Sequence, residues 1–207
     1  SFGFHVALAN VSFSTHRGEV VALCGGNGSG KSTLMKIVAR ALRSDTGCVT
    51  LNGVQLRQED IASARHAGLE MIYQDCALCP DTSVLDNLFL GRERTGRLGF
   101  LRLAEMKRLA DEVIATYNLP IASLDREVRS LSGGQKKAVA ICRSLLAHPK
   151  VLLLDEPTAA LGVKEQEAVL RIISDLKAKD ISLIFCTHLP EEVLAVASRV
   201  IILRRGA

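Results

Sequence analysis

Residues 20–33 read Val-Val-Ala-Leu-Cys-Gly-Gly-Asn-Gly-Ser-Gly-Lys-Ser-Thr. Val20 to Cys24 is a continuous apolar run of the kind found in strands buried on both faces. Lys31 to Leu42 has helical spacing, so the glycines between them join a strand to a helix. Gly25, Gly26, Asn27, Gly28, Ser29, Gly30, Lys31 and Ser32 match GxxxxGK(S/T) in full. Phosphate chemistry explains these residue types. Glycines let successive N–H groups turn inward as an anion nest, and the helix start adds a partial positive charge. Lys31 neutralises β and γ phosphates, and the Ser32 hydroxyl can ligate Mg²⁺. A chance match in such a chain is on the order of one in a hundred. A dinucleotide fingerprint fails, because Lys31 stands where its third glycine is needed.

Outward from this loop the chain reads as alternating strands and helices, an α/β fold with a parallel sheet flanked by helices. Leu69 to Tyr73, Val151 to Leu154, Ile181 to Cys186 and Val200 to Leu203 are further short apolar runs. Asn52-Gly53 after Thr50 and Leu51 signals a hairpin turn. From Lys164 to Lys179, Val169, Ile172, Ile173 and Leu176 mark one buried helical face. The stretch from Cys76 to His148 differs. It holds two helical stripes, Leu103 to Tyr117 and Ala138 to Leu146, and no strand. The expected organisation is therefore a core of residues 1–75 and 149–207, with 76–148 as an inserted helical subdomain.

Composition bounds the rest. The chain has 207 residues, 48% hydrophobic, 4% aromatic and without Trp, so a core must be built from Val, Ile, Leu and Ala. Its 26 basic and 22 acidic residues leave +4, too little to mark a nucleic-acid binder. The excess is local, at Arg92, Arg94, Arg97, Arg102, Lys107 and Arg108, and reads as a solvated loop and helix face. No apolar run approaches the ~20 residues that cross a bilayer. The cysteines at 24, 48, 76, 79, 142 and 186 are scattered and read as reduced thiols, several of them inside apolar strands or helices as small buried hydrophobes.

Two further segments carry chemistry. Asp155 and Glu156 follow the run Val151 to Leu154 directly, and Pro157 stops it. At the C-terminal edge of a parallel sheet such a pair can orient a metal's water shell and polarise an attacking water. Ser132-Gly133-Gly134-Gln135 opens a helix and reads as a capping box. Capping does not call for two glycines, each costing about 1 kcal/mol of helix propensity. Their bare N–H groups make an anion site.

The order GGNGSGKST, Gln74 after a strand, LSGGQ, VLLLDEPT and His188 after another strand resembles the nucleotide-binding domain of ATP-binding cassette proteins over nearly the whole chain. The resemblance implies ATP and Mg²⁺ as ligands and ATP hydrolysis as the activity. By it, Lys31, Ser32 and Thr33 hold phosphate and Mg²⁺, Gln74 links Mg²⁺ to a partner interface, and Asp155 orients the metal. Glu156 corresponds to the general base, His188 to a γ-phosphate contact, and Phe2 to an aromatic that stacks on adenine. Two copies are implied head to tail, each ATP lying between one Lys31 loop and the other copy's Ser132, Gly133, Gly134 and Gln135.

Finer likenesses, in IYQDxxLxPDxSVxDNLFLGRE from Ile72, EPTAALGVKE from Glu156 and HxPEEV from His188, point to the carbohydrate-importer branch. That implies a sugar importer, transmembrane permease subunits as partners and a place on the cytoplasmic face of the membrane. A groove beside Gln74, with Tyr73, Leu78, Leu85 and Phe89, is expected to receive a permease helix. Gly162 departs from the pattern by replacing an Asp expected at the dimer interface. The chain also reads as trimmed or cut from a longer or fused protein. A soluble cassette ATPase acting on ribosomes or DNA is the alternative.

Overall fold

A computed structural model describes residues 6–207. Phe2 lies outside the described residues. The elements are β1 (Val20–Cys24), α1 (Lys31–Val38), β2 (Thr50–Leu51), β3 (Val54–Gln55), α2 (Ile61–Ala67), β4 (Leu69–Ile72) and α3 (Val84–Phe89). They continue with α4 (Leu103–Thr116), α5 (Gly133–Leu145), β5 (Val151–Asp155), α6 (Val163–Ala178), β6 (Ser182–Thr187), α7 (Pro190–Val196) and β7 (Arg199–Ile202).

Five strands form one parallel sheet in the order β4-β5-β6-β1-β7. Every residue of β5 and β6 is buried, and the alternation of side chains splits these apolar runs between two cores. Val20, Ala22, Leu152, Leu154, Leu183 and Phe185 face one of them. Val21, Leu23, Val151, Leu153, Ile184 and Cys186 face the other. The first is covered by α3, α4, α5 and α6 through Leu88, Met106, Ile141 and Ile173, among others. Leu34 and Met35 of α1, with Ala64 of α2, cover the second. The helices between β4 and β5 thus share a continuous apolar core with the sheet.

Local chemistry sets the turns. Asn52 and Gly53 have φ of 51° and 78° and join the antiparallel pair β2 and β3, as a two-residue turn with both central residues left-handed requires. Helix α1 ends at Val38 rather than Leu42. Arg40 takes φ 59° and buries its side chain, Nε donating to the Arg57 carbonyl at 2.8 Å. The basic stretch is a short hairpin where a loop is expected: Thr95 bridges Leu101, and the Arg102 N–H donates to Arg94 O at 2.8 Å. Leu85 and Phe89 are buried core residues, which corrects their placement in an exposed groove. All but one residue of α3 is buried, so a polar-facing side could not be read from its spacing.

Ile173 is fully buried where α6 meets the sheet's larger core. Ile173→Ala is expected to cost about 2–5 kcal/mol through lost burial and a residual cavity. A urea titration would show a lower midpoint at unchanged slope, and an unmoved midpoint would contradict this packing.

Candidate active site

Four neighbouring strands deliver the candidate residues to one edge of the sheet. The loop of Gly25 to Gly30 leaves the end of β1, and Gln74 follows β4 by two residues. Asp155 closes β5 with Glu156 next, and Thr187 closes β6 with His188 next. Register keeps these ends level: Asp155 lies opposite Cys186, and Cys24 lies opposite Thr187. In an open parallel sheet this edge is where ligands bind.

The glycine loop is shaped by contacts that exclude a side chain. Gly25 has φ 150°, and a Cβ there would fall 2.3 Å from the Leu203 carbonyl oxygen. Gly30, the N-cap of α1, has φ 102° and no side-chain cap. Space stays open at Gly26 and Gly28, the positions around which phosphate oxygens would sit. Lys31 is only 6% exposed, and its ammonium donates to the carbonyls of Gly25 at 2.8 Å and Gly26 at 3.1 Å. Ser29 Oγ is buried and without a partner among the described residues. Thr33 is in the first turn of α1, beside Ser32.

Ser32 Oγ donates to Asp155 Oδ1 at 3.2 Å, joining the P-loop helix to the acidic pair, and Asp155 is 6% exposed. Glu156 has φ 46°, a left-handed conformation that costs a non-glycine residue free energy and persists only where its surroundings hold it. His188 Nδ1 lies 3.8 Å from Glu156 Oε1. Burial foremost, then the charge of Asp155, raises the Cys186 thiol pKa, and burial pushes Cys142 up to about 12. Both thiols therefore stay protonated.

Ser132 and Gln135 form the expected capping box: Gln135 N–H donates to Ser132 Oγ at 3.4 Å, and Ser132 N–H donates to Gln135 Oε1 at 3.0 Å. The anion expected at this turn has a counterpart within the chain. Gly134 N–H donates to Glu165 Oε1 at 3.3 Å, and Gly162 N–H donates to Glu165 Oε2 at 3.3 Å. Bonds from the Ser132 hydroxyl first, then from these two amides, hold the Glu165 carboxyl below the usual carboxylate range. The partners of residues 132–135 thus lie in their own turn and on α6, while the P-loop bonds to the sheet edge.

Two residues at the site were not singled out from sequence. Glu165 was discoverable as an acidic residue three positions after Gly162, within reach of the N–H at the start of α6, which its carboxylate accepts. Lys137 carried no such signal: it is buried in α5 and donates from Nζ to the Gln74 carbonyl at 3.1 Å. Lys137 thereby ties the Gln74 turn to the helix that begins at Gly133.

Residues 8–159 match the family described as ABC transporter, and the chain belongs to that family. It is 40% identical over 201 residues to the galactofuranose transporter ATP-binding protein YtfR of Escherichia coli (strain K12), covering 97% of this chain and 40% of that protein. The xylose/arabinose import ATP-binding protein XylG of Sulfolobus acidocaldarius is 40% identical over 206 residues, covering 100% of this chain and 82% of that one. The ribose import ATP-binding protein RbsA of Bacillus subtilis is 36% identical over 206 residues, 100% of this chain and 42% of that protein. The chain thus spans about 40% of the length of two of these three relatives.

Among solved structures, a nucleotide-free ATP-binding cassette from an ABC transporter superposes with a TM-score of 0.86 at 29% identity, covering 100% of this chain and 85% of that one. The dimeric cassette MJ0796 bound to ADP and Pi gives 0.80 at 28% identity, covering 97% and 87%. Among the described residues no helix is long and apolar enough to cross a membrane.

A Cβ built on Gly133 would lie 2.6 Å from Leu161 Cδ2. Gly133→Ala is therefore expected to push the end of the Leu161 side chain aside and to lower stability by at most about 1 kcal/mol, the gain in helix propensity offsetting part of the overpacking. Adding Leu161→Ala should recover part of that loss in urea denaturation, because the clashing methyl is gone. Equal, additive losses would show that the two residues do not meet.

Proposed function

We propose that this chain is the ATP-hydrolysing part of a membrane importer whose cargo is a sugar. One observation carries the catalytic reading: adjacent parallel strands bring the Lys31 loop, Gln74, the Asp155–Glu156 pair and His188 to a common edge. The relatives named as sugar import ATP-binding proteins support the transport role. A place on the cytoplasmic face of the membrane, against separate permease subunits, follows from that role. Nucleic acid has no part in it.

The donor set suits a phosphate ester and a small hard cation. The unpartnered, buried Ser29 hydroxyl and the open space at Gly26 and Gly28 lie where phosphate oxygens need donors. Lys31, which bonds only weak carbonyl acceptors here, exchanges them for β and γ phosphate oxygens. Ser32 and Asp155 present adjacent oxygens, and a cation that keeps several waters and takes the rest of its shell from phosphate asks for no more than this from protein. Mg²⁺ held by Ser32, Asp155 and Gln74 would neutralise charge on the transferring phosphoryl group.

Glu156 accepts the proton of the attacking water, and the 3.8 Å contact to His188 lets the imidazole steady both the carboxylate and the γ-phosphate. Catalysis is positioning and charge stabilisation, without a covalent intermediate. Ser132 to Gln135 serve a second copy's nucleotide. In that dimer Glu165 must yield to, or share, the amide of Gly134 when a γ-phosphate arrives. Gly162 leaves no carboxylate at its interface position, and its N–H is engaged by Glu165. A short permease helix docks beside Gln74, against the half-buried Tyr73 and Leu78.

Glu156→Gln keeps the shape of the side chain and removes the base. Hydrolysis is expected to fall by roughly 10² to 10⁴-fold, while ATP still binds. Light scattering after gel filtration should show a doubled mass in Mg-ATP, and adding Ser132→Arg should return the monomer. Hydrolysis at the parent rate would remove Glu156 from the role of base.

A further inference from the structure

Glu192 is a carboxylate on α7, 3% exposed, with no part in the chemistry above. An acidic side chain is almost never fully buried unless it is paired, and among the described residues no cation pairs with this one. Both of its oxygens are instead met by threonine hydroxyls. Thr158 Oγ1 donates to Glu192 Oε1, and Thr187 Oγ1 donates to Glu192 Oε2 at 2.5 Å. Thr158 and Thr187 are themselves buried.

The positions of those threonines give the arrangement its meaning. Thr158 lies two residues after Glu156, in the turn closed by Ala159 N–H on the Glu156 carbonyl at 3.2 Å. Thr187 immediately precedes His188, and its hydroxyl also accepts the Leu189 N–H at 3.0 Å. His188 is thus bracketed by two anchored neighbours while its own ring stays 52% exposed. Glu156, held at φ 46°, needs its surroundings to fix it. One carboxylate therefore clamps the backbone on both sides of the 3.8 Å contact between Glu156 and His188.

We propose that Glu192 is a positioning residue for ATP hydrolysis: its buried carboxylate sets the separation of Glu156 and His188 by tying the turn after β5 to the end of β6. The proposal rests on the roles given above to Glu156 and His188. Glu192 touches neither nucleotide nor water. It acts through the two threonines, and no contact in the clamp reaches Gly26 to Ser32, so nucleotide binding does not depend on it.

The chemistry of the clamp predicts which replacement it tolerates. An ionised carboxylate only accepts hydrogen bonds, whereas a hydroxyl both donates and accepts. Glutamine can therefore set its one carbonyl oxygen in the place of Oε2, accepting from the Thr187 hydroxyl, which itself accepts from Leu189, and offer its amide to a reversed Thr158 hydroxyl. Alanine leaves both hydroxyls without an acceptor and opens a hole beneath the loops.

ATP hydrolysis by the full natural chain tests this. Glu192→Ala is expected to lower kcat about ten- to a hundredfold, the scale of a displacement near 1 Å at a catalytic group, with KM for ATP nearly unchanged. Glu192→Gln should recover most of the loss. Thr158→Val, nearly isosteric, cuts one arm of the clamp and should lower kcat in the same manner, which keeps the test decisive if Glu192→Ala does not fold. Combining Glu192→Ala with His188→Ala should cost less than the product of the single losses, because the two act through one contact. An unchanged kcat in Glu192→Ala or Thr158→Val, or fully multiplicative losses in the double variant, would overturn the proposal. His188→Ala at the parent rate would overturn the site assignment beneath it, and needs no Glu192 variant to be seen.

Discussion

A buried ammonium group governs the arrangement of this molecule's edge. Lys31 is held almost out of water by the carbonyls of Gly25 and Gly26, and an unpaired charge there would cost several kcal/mol. The loop's path is set by Gly25 and Gly30, whose backbone conformations and close approaches a side chain would strain. Asp155 sits across from it, accepting from Ser32 of the same loop and helix. One charged group and its counterpart are thus desolvated together, as the proposed exchange of weak internal partners for a phosphate and its metal requires.

The rest of the fold keeps that edge in register. Parallel pairing of β1, β5 and β6 fixes how far Lys31, Asp155 and His188 stand from one another, and apolar burial on both faces leaves the strands no freedom to slip. The second element, the turn of Ser132 to Gln135, is fastened to the same body by different means. Helix α5 packs in the core shared with the sheet, Lys137 bonds the turn that carries Gln74, and Glu165 joins the glycines of the turn to the start of α6. Gln74 is thereby tied to α5, and Gly162 to Gly134 through Glu165, by direct contacts.

Strong local chemistry was legible in the sequence. The glycine loop, the capping box at Ser132, the Asn52-Gly53 turn and the buried stripe of α6 each depend on residues close together in the chain, and each has the form expected. The apolar strands were found within about a residue at each end, the usual uncertainty of such boundaries. What escaped depends on distant pairing. Leu85 and Phe89 read as groove residues because nothing local reveals that α3 is enclosed on nearly every side by α4, α5 and the sheet. Glu165 has a local signal at the start of α6, but its second partner, Gly134, is 31 residues away; Lys137 and Glu192 look like ordinary surface charges in sequence, and only the fold brings their partners, 63 and 34 residues away, into contact. The hairpin at Thr95 and Leu101 was hidden for the opposite reason, since its charged residues resemble those of any solvated loop.

The claim on which everything else stands is that Lys31 surrenders its own loop carbonyls to nucleotide phosphates. Calorimetric titration of folded Lys31→Ala with ATP tests it directly. Removing the one fixed cation at the β and γ phosphates should weaken binding by about tenfold or more, the scale of a lost charged hydrogen bond, with the unfolding midpoint still cooperative. ATP affinity equal to that of the parent chain, in a variant shown to be folded, would contradict the assignment of this edge as the nucleotide site.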